Sequence, residues 1–197
     1  MSRTALLLID FQNDYFPGGK WPLAGAEASV KQGAKLLAAF REKSLPIIHV
    51  RHEFPSNDAP FFLPDSEGAQ HHFSVTPVVG EYVVLKQHIN SFHETNLKEI
   101  LENENIETVM IIGAMSHMCI DAVARAANDL GYHCVIAHDA CATLDLEFNG
   151  VKVPASQVHA SFMAALRFAY AKVVSTDALL EDLTSSVSLN KAAQNQG

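Results

Sequence analysis

One stretch restricts the architecture more than any other: residues 109–131, VMIIGAMSHMCIDAVARAANDLG. It opens as an apolar, β-branched run, turns at Gly113-Ala114 and continues in a helical pattern that ends near Gly131. A strand that passes through a tight turn into a helix is part of a βαβ unit, and open α/β folds gather ligands at the carboxyl ends of such strands. Cys119 falls in the first helical turn. A thiol there feels the helix N-terminus, which is expected to lower its pKa.

The rest of the chain repeats this alternation. Residues 4–10 (TALLLID) form an apolar run ending in Asp10, the pattern of a buried parallel strand. A loop rich in Asn, Gly and Pro follows, and 26–43 carries Val30, Ala34, Leu37, Ala38 and Phe40 at helical spacing. Further strands are expected at 47–51, 81–86, 108–113, 133–137 and 172–175. Helices are expected from Thr95 or Asn96 to Asn103, over 155–170 and, briefly, over 177–183. Residues 139–154 read as a loop. Residues 54–80 carry Pro55, Pro60, Pro64 and Pro77. A loop of that length in a compact domain is usually functional, as a lid or an interface arm. The expectation is a single α/β domain over residues 1–184, followed by a polar tail over 185–197. Its core is a doubly wound, mostly parallel six-stranded sheet with helices on both faces.

Composition narrows the partners. The chain has 197 residues, 48% hydrophobic and 18% charged, with a formal net charge of −8 and no cluster of Lys or Arg. That argues against nucleic acid or an anionic membrane as partner. No apolar run approaches the ~18 residues of a membrane span, and the N-terminus lacks the long apolar core of a secretory signal. Cys119, Cys134 and Cys141 are odd in number and form no CxxC pair, so a reducing cytoplasm is expected and no disulfide framework. No dinucleotide fingerprint, P-loop or GxSxG elbow is present.

Three expected strand ends carry reactive groups: Asp10, Lys86 and, through the turn, Cys119. A parallel sheet delivers all three to one edge. Each alone has a blander role, as a cap, a solvated strand end or a buried small hydrophobe. Together they suit nucleophilic chemistry: Asp10 to take the thiol proton, Lys86 to favour the thiolate and hold Asp10, and backbone N–H groups near Met115 and Cys119 to receive an oxyanion. Cys134 and Cys141 read as core thiols.

The segments LLLIDFQNDYF, VLKQHINSF, IIGAMSHMCIDAVARAANDLGY and VIAHDACAT together resemble the isochorismatase-like cysteine hydrolases, a family that includes nicotinamidases and carbamoyl-amide hydrolases. The resemblance implies an Asp–Lys–Cys triad at Asp10, Lys86 and Cys119. It also implies a cis peptide at Ala114–Met115, which would turn the Met115 N–H toward the oxyanion beside that of Cys119. Tyr15 and Phe92 resemble the family's pocket aromatics, with core packing as the alternative, and His52, ending the second strand, is placed to rim the pocket and contact substrate. The Asp-x-His metal motif of nicotinamidases is absent, since HVRHE (His49, Arg51, His52, Glu53) stands there. No histidine spacing matches a zinc site, so no metal or other cofactor is carried over.

The resulting expectation is a hydrolase of a C–N bond (amide, carbamoyl or lactam) in a small molecule, working through a thioester. Two alternatives stay open: a non-covalent vinyl-ether hydrolase of the isochorismatase type, which dispenses with the cysteine, and a non-catalytic ligand-binding homologue. A homodimer or larger assembly is expected from the resemblance and from the apolar arm at Phe61, Phe62 and Leu63.

Overall fold

The computed structural model describes residues 3–56 and 58–184; the expected tail at 185–197 lies outside them. The central strand is β1 (Thr4–Ile9). It pairs in parallel with β2 (Ile47–His52) on one side and β4 (Thr108–Ala114) on the other. β3 (Tyr82–Lys86) lies outside β2, and β5 (His133–Ala142) then β8 (Ala171–Val174) lie outside β4. All six strands are parallel, in the order β3-β2-β1-β4-β5-β8. The winding direction reverses between β1 and β4, and an open α/β sheet opens its ligand crevice at such a reversal.

β1 shows why the sheet is buried on both faces. Leu6 and Leu8 point to one side, toward α1 (Ala26–Glu42) and Leu179 of a final helical stretch at 176–184. Ala5, Leu7 and Ile9 point to the other, toward α2 (Leu97–Asn103), α3 (Cys119–Asp129) and α4 (Ala155–Ala169). A continuous apolar run thus serves two cores at the strand period of two. Leu6 to Ile9 are buried to 2% exposure or less. At 1.5–3 kcal/mol per large aliphatic side chain, this one strand contributes roughly 10 kcal/mol before conformational entropy is charged against it. Among the described residues, no helix is long and apolar enough to cross a membrane.

Two expectations need correction. The fifth strand does not stop at 137, because β4 carries a register shift between Ile111 and Gly113, after which Gly113 and Ala114 pair with Cys141 and Ala142. The polar residues His138 and Asp139 therefore belong to a strand; Asp139 Oδ1 accepts from Thr176 N–H and Oγ1 at 2.8 and 2.9 Å. The expected loop beyond is also partly ordered. β6 (Leu146–Phe148) and β7 (Val151–Val153) form an antiparallel hairpin about Asn149 and Gly150, with φ of 51° and 78°. Asn-Gly supplies the two left-handed residues that such a turn requires.

Gly113 is the fixed point between β1 and the turn before α3. Its φ is +128°, and a Cβ there would lie 1.9 Å from the Ile9 carbonyl oxygen. Gly113→Ala should therefore cost at least about 3 kcal/mol, by forcing β4 off β1. At 2–4 °C per kcal/mol for a chain of this size, a melting temperature lowered by roughly 10 °C or an insoluble product is expected in thermal denaturation.

Candidate active site

The carboxyl ends of β1, β3 and β4 place three side chains in one buried spot. Asp10 follows β1 with φ of 52°, a left-handed conformation that Asp tolerates better than most residues, and its N–H donates to the Val50 carbonyl at 2.9 Å. Lys86 ends β3. Cys119 is the first residue of α3, after a turn in which the Ala114–Met115 peptide is cis. Their exposures are 0%, 1% and 2%.

Lys86 Nζ is the hub. It lies 2.9 Å from Asp10 Oδ2 and donates to Cys119 Sγ at 3.2 Å, to His52 Nδ1 at 2.9 Å and to the His88 carbonyl at 3.2 Å. An ammonium has three N–H groups for these four acceptors, so they share it. Burial works to neutralise Lys86, but the Asp10 carboxylate and the thiol outweigh it and hold its pKa above that of an ordinary lysine. Oδ1 of Asp10 makes no complete hydrogen bond and is the carboxylate's open site; carboxylate and sulfur lie within 4.8 Å of each other.

The thiol departs from expectation. Burial, and after it the Asp10 carboxylate, pushes Cys119 up to about 12, against the lowering effect of Lys86. The helix N-terminus does not decide the matter, because removing a thiolate from water costs more than one helix end returns. Cys119 rests as a neutral thiol beside an Asp10–Lys86 ion pair, and it can become a thiolate only by giving its proton away locally. The core thiols Cys134 and Cys141 are likewise free, buried and pushed up to about 12.

His52 belongs to this centre. Accepting from Lys86 at Nδ1 makes it the Nε2–H tautomer, and that buried N–H has no partner. Burial and the Lys86 ammonium hold its pKa at about 4. Tyr15 is close enough for the charges of Cys119, Asp10 and Asp14 to raise its phenol, after burial, well above the usual value. Phe92 is half-buried, packs against the apolar cluster that contains Cys119, and stacks on Tyr132 with ring centroids 6.4 Å apart. Asp10, His52 and Cys119 offer three ligand atoms within 4.8 Å of one another, but Lys86 Nζ stands among them within 3.2 Å of each residue. The space is fitted to an ammonium, not to a metal cation.

Two residues beyond Asp10 do positioning that the linear pattern did not reveal. Buried Gln12 accepts from His52 N–H at 2.7 Å and donates to the carbonyls of His52 and Ala69 at 2.7 and 2.8 Å. Buried Asp14 accepts from the N–H of Lys20 and Phe62. The only signal was the density of polar residues directly after a strand end in DFQND. These bonds also turn the 54–80 arm inward. Phe61 and Phe62, 8% and 0% exposed, pack on Tyr15 at 5.6 and 4.5 Å, and Phe54 packs on His52 at 4.4 Å.

His52 gives the fold an acid sensitivity. Its folded pKa is depressed below the unfolded value of 6.5, so the unfolded chain binds the extra proton first. Stability is complete above pH 6.5 and falls as the pH drops toward 4, by about 3 kcal/mol for a shift of this size. Urea titrations from pH 7 to 4 should show that loss in the wild type and a shallower slope in His52→Gln.

Comparison with known proteins adds the lineage. The isochorismatase domain model matches residues 4–178. YddQ, an isochorismatase family protein of Bacillus subtilis, is 47% identical over 178 residues, covering 90% of this chain and 99% of that one. Maleamate amidohydrolase of Pseudomonas putida is 30% identical over 151 residues, covering 70% and 71%. A crystal structure from Oleispira antarctica, described as an isochorismatase hydrolase, superposes with a TM-score of 0.89 at 63% identity, covering 91% and 97%. With most of its length matched in both sequence and fold, the chain belongs to the isochorismatase family of hydrolases.

Proposed function

We propose that the chain hydrolyses a C–N bond (amide, carbamoyl or lactam) in a small molecule through a thioester on Cys119. The observation that carries this reading is the single buried contact set of thiol, carboxylate and ammonium around Lys86 Nζ. A neutral thiol is a weak nucleophile, so its proton must leave as sulfur attacks. Asp10 takes that proton. The carbonyl carbon gains the C–S bond, and its oxygen takes the negative charge beside the N–H groups of Met115 and Cys119. When the C–N bond breaks, Asp10 returns the proton to the departing nitrogen. Water then attacks the thioester carbon and Asp10 takes its proton; the C–S bond breaks, and Asp10 passes that proton to the departing Cys119 sulfur as the acid product leaves. Lys86 stays an ammonium throughout, which holds Asp10 in reach and favours the carboxylate form from which each proton transfer starts.

The amide specificity of the maleamate-hydrolysing relative agrees with this chemistry. Entry requires the arm to move, since the triad is buried and Phe54 and Phe62 pack around His52; the arm acts as the lid. Three unpaired thiols suit a reducing cytoplasm. We also propose a homodimer or larger assembly. Its support passes from Phe61 and Phe62, which face inward, to Phe148, Val151 and Phe168, which are 77%, 63% and 91% exposed.

Cys119→Ala should lower turnover on a panel of small primary amides, ureas and lactams by more than about 10³-fold. It should also remove the acyl adduct that intact-mass spectrometry detects in quenched wild-type reactions. Retained amide hydrolysis would refute the covalent route; cleavage of an enol ether that survives the substitution would support the vinyl-ether alternative.

A further inference from the structure

The loop that follows β3 carries a second cluster, outside the triad. His88 Nε2 lies 3.0 Å from Glu94 Oε2, and His93 Nε2 lies 3.8 Å from Glu94 Oε1. The two imidazoles stack with centroids 4.0 Å apart and planes 17° apart, so both present Nε2 to the same carboxylate. Glu94 sits at φ of 55°, a left-handed turn within this loop. His88 is half-buried, whereas His93 and Glu94 are exposed, so the cluster is open to solution.

We propose that His88, His93 and Glu94 form a binding site for a zinc-class divalent cation. Tetrahedral Zn²⁺ with bonds of about 2.0–2.1 Å sets its ligand atoms roughly 3.3 Å apart. The imidazole nitrogens lie 3.0 and 3.8 Å from the two different oxygens of Glu94, on either side of that spacing, and one ligand atom from each of the three residues lies within 4.8 Å of the others. Two neutral imidazoles and one carboxylate are a donor set that borderline cations prefer, with water completing the fourth position. Coordination uses the unprotonated Nε2 of each ring, with the ring proton carried on Nδ1. The site differs from the triad in kind, because no ammonium occupies it. It is linked to the triad through the backbone, since the His88 carbonyl is an acceptor for Lys86 Nζ. A cation there fastens the 88–94 loop and with it that carbonyl.

The test is direct Zn²⁺ binding to the tag-free full-length protein, by equilibrium dialysis with metal analysis and by thermal melts with and without micromolar Zn²⁺. The wild type should bind one equivalent that Cys119→Ala retains and that His93→Ala and Glu94→Gln weaken by more than about tenfold. Zn²⁺ should raise the melting temperature of the wild type and leave those two variants unmoved. His93 and Glu94 are exposed, so the wild type, His93→Ala and Glu94→Gln should melt alike in chelator. No bound equivalent in the wild type, or equal binding by wild type and His93→Ala, would overturn the proposal. Loss of binding in Cys119→Ala alone would overturn it too, by moving the metal to the triad. None of these readings depends on turnover, so failure here is separable from failure of the amidohydrolase reading.

Discussion

The buried ammonium of Lys86 is the interaction on which the rest of the site depends. A lone cation in that position would be driven to neutrality by desolvation, because burial favours the uncharged form of a lysine by as much as several pKa units. The chain avoids this by bringing acceptors from separate parts of the fold: Asp10 from the end of β1, His52 from the end of β2, the His88 carbonyl from beyond β3, and Cys119 from the start of α3. Removing any one partner leaves a charge less compensated in a dry place, so geometry and electrostatics hold each other in register. The parallel sheet makes this possible: it aligns three strand ends within one short side chain's reach, although their residues are far apart in sequence.

Much of this was legible in the residue pattern, for a physical reason. A buried parallel strand reads as a continuous apolar run, and the first charged residue to break it marks the strand end, as at Asp10; the apolar run of the edge strand β3 ends in the same way at Lys86. The features that escaped belong to tertiary context. His138 and Asp139 look like loop residues, yet a register shift in β4 and a hydrogen bond to Thr176 keep them in a strand. The hairpin about Asn149-Gly150 did carry its own local signature, LEF-NG-VKV, obscured by the acidic and polar residues around it. Gln12 and Asp14 have the composition of exposed turn residues, and nothing local says that their side chains are enclosed by backbone amides and carbonyls.

The resting ionisation of Cys119 runs opposite to what its place in the sequence implies, for the same reason. A helix N-terminus is visible in sequence; a nearly complete loss of solvent is not. At 2% exposure, desolvation exceeds the influence of the helix end and even of a contacting ammonium. Under the proposed mechanism, the cost of charging sulfur would be deferred to the moment when substrate supplies a carbonyl and Asp10 a proton acceptor, and charge would separate with little solvent to reorganise.

This closed, neutral thiol has a consequence for the lifetime of the protein as well as for its chemistry. Peroxide attacks thiolates that it can reach, and each step toward sulfinic and sulfonic acid makes the loss harder to reverse. Cys119 meets neither condition while Phe54 and Phe62 cover His52 and the thiol keeps its proton. The packing that closes the triad off from solvent therefore also shelters the Cys119 sulfur from oxidation.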